Sequence, residues 1–106
     1  GTPVMSNLGP ILAWPLARPV VHLALTPEDV TPLRRRLDVR HLVLAFRDAD
    51  RAWPAWSEIV ERPGAARAHE ALGALDERRW RTADGFTVIW LELPPLAPAV
   101  AVAAVP

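Results

Sequence analysis

Apolar positions in this chain fall in short runs rather than long stretches: Val4-Met5, residues 20–25, residues 42–46 and residues 86–93, with segments of helical spacing between them. That alternation is the order of a β/α layer with a largely parallel sheet. Residues 4–6 can form a short buried strand, after which Ser6 or Asn7 can cap a helix over residues 9–17, with Pro10 tolerated in its first turn. Pro15 and the pair Arg18-Pro19 keep that helix short. Residues 20–25 are apolar on both faces apart from His22, the pattern of a central strand covered on both sides. Thr26-Pro27-Glu28-Asp29 is a helix start, with a hydroxyl cap, proline at the first helical position and two carboxylates at the positive end of the dipole. Val30, Leu33 and Leu37 then face the sheet, and Pro32 requires either a kink or a restart at Thr31-Pro32.

The second half repeats the plan and then departs from it. Residues 41–46 read as a third strand, ended by Asp48 and Asp50; Asp50 can cap a helix on which Trp53, Trp56 and Val60 share a face. Arg62-Pro63-Gly64 interrupts, and a second helix over residues 65–72 ends at Gly73. Residues 77–82, the turn Ala83-Asp84-Gly85 and residues 86–93 form an antiparallel hairpin, since Asp-Gly supplies the positive φ of a tight turn. It should close one edge of the sheet, with Trp80 and Trp90 paired across it. The expected fold is a three-layer, Rossmann-like α/β sandwich: a short parallel sheet extended by a C-terminal antiparallel hairpin. It occupies residues 1–93 as one domain, and residues 94–106 form a Pro/Ala/Val-rich tail.

Composition narrows the function classes. Twelve arginines balance twelve acidic residues, so no long-range field draws the chain to nucleic acid. All cations are Arg, which with abundant Ala and Pro reads as a coding bias. Cysteine is absent, which removes disulfides and thiolate metal sites. No apolar stretch reaches the roughly 20 residues of a membrane helix, so the chain itself should be soluble. Gly1-Thr2-Pro3 runs straight into the first strand, as expected of a domain taken from a longer polypeptide.

Candidate chemistry is sparse. Ser6 and Asn7 lie where open α/β sheets bind ligands, at the carboxyl end of a strand and the amino end of a helix, and with Arg18 they are the candidate ligand-binding residues. A capping role explains Ser6 and Asn7 equally. His22, His41 and His69 have no partners at metal spacing and read as structural or solvated histidines. Asp48 and Asp50 resemble an acid/base pair but also ordinary helix caps, and Ser57 lacks a nucleophile setting. Trp53 and Trp56, like Trp80 and Trp90, suit packing better than a surface platform. Arg34-Arg35-Arg36 reads as a solvated helix face. No cofactor, metal or catalytic residue is expected in the chain.

A strand ending Ser6-Asn7 followed by Pro10, then Ala13-Trp14, Arg18-Pro19-Val20-Val21, the run Leu37-Asp38-Val39-Arg40-His41-Leu42-Val43-Leu44 and the hairpin Asp84-Gly85-Phe86-Thr87-Val88-Ile89-Trp90-Leu91 together resemble the soluble C-terminal domain of bacterial GT-C type membrane glycosyltransferases. These enzymes are similar to the dolichyl-phosphate-mannose protein mannosyltransferases. The chain departs from their pattern in having Leu16-Ala17 where Thr-Gly often precedes the Arg-Pro. The resemblance implies a non-catalytic accessory domain on the extracytoplasmic face of the cell membrane, in a parent that transfers sugar from a polyprenyl-phosphate donor. Its partners would be the membrane-embedded remainder of the same polypeptide and a glycan or lipid-linked sugar. The family's catalytic carboxylate belongs to an early loop that this chain does not contain. The alternative is a free-standing α/β ligand-binding or protein-interaction module.

Overall fold

The computed structural model describes residues 2–8, 17–47 and 53–96. The helix expected over residues 9–17, Asp48 and Asp50, and the tail from residue 97 lie outside the described residues. The chain forms a mixed α/β structure around one five-stranded sheet in the order β2-β1-β3-β5-β4. The strands are β1 (Val4–Ser6), β2 (Val20–His22), β3 (His41–Arg47), β4 (Asp76–Arg81) and β5 (Phe86–Glu92). β1 pairs in parallel with both β2 and β3, and β5 runs antiparallel to β3 and to β4. The parallel triplet and the C-terminal hairpin at one edge are therefore as the apolar runs indicate.

One placement differs. β2 is an edge strand rather than a central one, and its Val20 and Val21 are only half-buried. Its apolarity instead serves the turn that follows: Leu23 donates its N–H to Ser6 O at 3.0 Å, and Leu23 and Ala24 are buried. Central strands are β1, β3 and β5, and β3 is accordingly buried from Leu42 through Phe46.

The connection from β2 to β3 begins with a 3-10 turn, Pro27–Asp29, capped by Thr26, whose Oγ1 accepts from Asp29 N at 3.2 Å. It passes into helix α1, Val30–Leu37. Pro32 is the third residue of α1, in the first turn where its missing N–H costs nothing, so the helix restarts rather than kinks. Asp38 then adopts φ 50° and ends it. Helices α2 (Ser57–Glu61, entered by a 3-10 turn) and α3 (Ala65–Ala68) follow. α3 stops at Ala68, short of the expected Gly73, because the His69 ring takes over a backbone donor: its Nδ1 accepts from Ala71 N at 3.1 Å.

Met5, Leu42, Leu44, Ile89 and Leu91 occupy one face of the sheet and join Val30, Trp56, Ile59 and Ala66 in a single core. Trp56 is fully buried and donates its Nε1–H to Ala24 O at 2.8 Å, which ties α2 to the β2 turn. Trp53 and Val60 pack against the same core. On the opposite face Val4, Val43 and Ala45 are buried, Trp90 is half-buried, and Trp80 is half exposed.

Two expectations for charged and aromatic side chains are corrected. The hairpin loop holds four residues, 82–85, with Gly85 at φ 91°, so the register puts Trp80 opposite Val88 and Trp90 opposite Arg78. The two tryptophans therefore do not pair, and Trp90 stacks on His41 at 5.2 Å. Arg34 is buried, not solvated: its Nε donates to Val39 O at 2.8 Å and its Nη2 to Pro94 O. A guanidinium anchored on two carbonyls holds the end of α1 against the segment after β5. Arg35 and Arg36 remain exposed.

Truncating Trp56 removes both a filled volume and a buried donor, so Trp56→Ala should cost about 3–5 kcal/mol. Trp90→Ala, at a half-buried position, should cost about 1–2 kcal/mol. Urea denaturation of both variants checks the order; equal losses would contradict it.

Candidate functional site

The carboxyl ends of the parallel strands are the first place to look, and there Ser6 and Asn7 turn inward. Ser6 is fully buried, and its Oγ accepts from Leu8 N at 3.0 Å, a local cap of the turn after β1. Asn7 donates Nδ2–H to Ala45 O at 2.8 Å and accepts from Ala45 N at 2.9 Å through Oδ1. Its amide thus imitates a strand residue and continues the β1–β3 ladder one step beyond Ser6–Val43. The backbone pair it meets also fixes which way the amide points.

His22, opposite Ser6 at the end of β2, is exposed and stacks against Trp53 at 5.5 Å. Its Nδ1 lies 3.0 Å from Leu23 O, and a carbonyl only accepts, so Nδ1 carries a proton, and in the neutral ring Nε2 is the acceptor. An exposed acceptor beside an indole is what this edge offers a ligand. Sequence reasoning passed over His22 because the contact with Trp53 spans thirty-one positions and leaves no spacing signal.

Arg18 lies at the other end of the sheet, so the three candidate residues do not converge. Its Nε donates to Thr2 O at 2.7 Å, its Nη2 to Thr2 Oγ1 at 2.8 Å and to His41 Nδ1 at 3.0 Å. Arginine can only donate, so His41 Nδ1 accepts and the ring is neutral with its proton on Nε2, which is 3.9 Å from Glu92 Oε1. Burial lowers the His41 pKa below 6.5, the neighbouring Arg18 lowers it further, Glu92 opposes, and Arg40 adds a smaller lowering. The cluster joins the starts of β1, β2 and β3 to the end of β5.

A cleft of about 860 Å³ opens between the entry to α1 and helices α2 and α3, with Glu28, Glu58, Arg62, His69 and Glu70 among its lining residues. His69 spans it. Since its Nδ1 accepts from Ala71 N, its Nε2–H faces Glu28 Oε1 at 3.3 Å. Both ring nitrogens are engaged, which leaves the imidazole no lone pair for proton abstraction and makes it a latch between the α1 entry and the turn after α3. Glu58 pairs with Arg62 at 2.9 Å. Ser57 Oγ donates to Pro54 O, and among the described residues no three His, Asp or Glu side chains gather as a metal ion requires. The cleft offers polar anchoring and an alanine-lined wall, without an activated nucleophile.

Comparison with protein-family models, curated proteins and solved structures finds no match for this chain.

The His41 geometry sets a pH dependence. The folded-state pKa is below the unfolded 6.5, so His41 contributes its full stability above pH 6.5 and loses it as the pH falls from there toward the folded value. In urea, which leaves charges unscreened, the denaturation midpoint should drop across that window, and His41→Gln should flatten the drop. An identical slope in the variant would refute the assignment.

Proposed function

We propose that the chain is a non-catalytic accessory domain of a GT-C type membrane glycosyltransferase, placed on the extracytoplasmic side, where it shapes acceptor access or steadies the membrane bundle while the parent transfers sugar from a polyprenyl-phosphate donor. The observation that carries this reading is Ala17. In the family the sequence resembles, glycine often stands at that place before the Arg-Pro, and here alanine holds φ 52°, a backbone region that favours glycine. A chain that keeps a glycine's conformation after losing the glycine supports descent from that pattern.

The other residues behind the resemblance support a structural role. Asn7 clamps β1 to β3, Arg18 ties three strand starts, Asp38 ends α1 at positive φ, and Gly85 turns the hairpin. The burial of Val4, Val43 and Ala45 away from the helices supports a third layer over that face, which completes the Rossmann-like sandwich. No helix among the described residues is long and apolar enough to cross a membrane, so in this reading the bilayer contact belongs to the rest of the polypeptide. The open cleft beside His69 favours a second reading, a free-standing ligand-binding module.

The two readings separate on the parent. In membranes carrying the complete polypeptide, deleting residues 1–93 should lower sugar transfer from a polyprenyl-phosphate donor, and the domain alone should transfer none. A reading frame without membrane spans upstream of Gly1 overturns the accessory-domain reading.

The backbone argument has its own check. Ala17→Gly should stabilise the domain by about 0.5–1 kcal/mol, by relieving the left-handed strain. A loss of stability in urea denaturation would remove the support that Ala17 provides.

A further inference from the structure

The register divides β4 between the two faces of the sheet. Glu77, Arg79 and Arg81 share a face with Leu91, Ile89 and Thr87, the side that carries the helices, whereas Asp76, Arg78 and Trp80 share the other with Glu92, Trp90 and Val88. Arg79 seals the helix side: its Nε donates to Glu77 Oε2 at 2.7 Å, its Nη1 to Val60 O at 2.6 Å and its Nη2 to the carbonyls of Ile59 and Arg62. The other side stays open at Trp80, half of whose surface is exposed. Val88 lies directly beside it, Trp90 one diagonal step away and Phe86 beyond Val88, all three half-buried, so the four residues make one apolar patch.

Charge is sorted by sign around this patch. At one end Asp76 and Glu92 stand opposite each other; at the other Arg47 stands opposite Phe86, its guanidinium 4.5 Å from the ring centroid. Glu92 and Phe86 mark the two ends of β5, roughly 20 Å apart. Glu92 and Arg47 are both exposed, and among the described residues Glu92 meets only the neutral His41 and Arg47 has no salt bridge.

We propose that this face is the interface of a weak symmetric dimer, in which two copies pack hairpin against hairpin about a two-fold axis running across the strands, between the Trp90 and Val88 positions. Such an axis lays Arg78 of each copy over Trp80 of the other and Trp90 over Val88. It also carries the Glu92 end of each copy to the Arg47 end of the other, so opposite charges meet twice. The backbone edge of β4 is a poorer meeting place, because five of its six residues are charged and resist strand addition. A bilayer fits less well, since Asp76 and Glu92 would face anionic headgroups. The patch covers parts of three strands, which places the contact below about 1,200 Å² in total and makes it weak. The surface stands whether or not the parent is a glycosyltransferase.

The test is sedimentation equilibrium of the 106-residue chain from about 5 to 500 μM, where a monomer–dimer equilibrium with a Kd on the order of 100 μM is expected. Trp80→Glu should weaken association at least roughly tenfold, with an unchanged urea midpoint at about 5 μM, where the chain is monomeric. Glu92→Arg and Arg47→Glu should each weaken it as well, but an equimolar mixture of the two should associate roughly tenfold more tightly than either alone, because both contacts then join opposite charges. That mixture decides the matter if Trp80→Glu lowers the midpoint. A chain ending at residue 96 should associate as the parent does. No dimer at about 500 μM, a dimer indifferent to Trp80→Glu, a mixture no tighter than its components, or loss of the dimer with the tail each overturns the proposal. So does Trp80-dependent binding to phosphatidylcholine vesicles containing phosphatidylglycerol, which would assign the face to a membrane.

Discussion

The structure depends on a strand of three residues. β1 lies between β2 and β3 and is buried along its whole length, yet Val4, Met5 and Ser6 give it only three register positions against each neighbour. A ladder that short holds register weakly, and a one-residue slip would turn Met5 out of the core. Polar side chains supply what the backbone lacks. At one end Asn7 completes another step to Ala45; at the other, Arg18 grips Thr2 and reaches His41. The residues that looked most like a ligand site are thus the ones that keep the central strand in place.

The same economy of means explains why arginine is the cation in the working positions. Arg18, Arg34 and Arg79 each bridge two or more acceptors on different elements, and a single ammonium on a flexible stem would hold such a fork less well. Whatever bias favoured arginine in the coding sequence, the fold uses its geometry. Helix ends that short elements leave bare are closed this way, with carbonyls after α1 and in the last turn of α2 taken up by guanidinium donors.

How far the sequence discloses this architecture follows from the range of each interaction. Local chemistry was legible: Thr26 as a cap, Pro32 as a break answered by either a kink or a restart, Asp84-Gly85 as a hairpin turn, and three apolar runs as parallel strands. Strand order was not, because a half-buried edge strand such as β2 reads as apolar as a central one when its tail, Leu23-Ala24, serves a buried turn. Arg34 was mistaken for a solvated residue because its acceptors, Val39 O and Pro94 O, lie on other segments. The contacts His22–Trp53, Arg18–His41 and His69–Glu28 join residues far apart in the chain, with no periodicity to betray them. Ser6 and Asn7 were found by position, and their inward orientation followed only from the register of β3.

The separation of partners along the chain also orders assembly. β4 and β5 meet through a four-residue loop, whereas β1 must close a long loop to reach His41 and another to reach Val20. Loop closure makes the hairpin the early event and the central strand a late arrival. A growing polypeptide emerging from the ribosome would thus have its first strand waiting, unpaired and apolar, until β3 appears. For that interval Val4 and Met5 are the segment most exposed to wrong pairing.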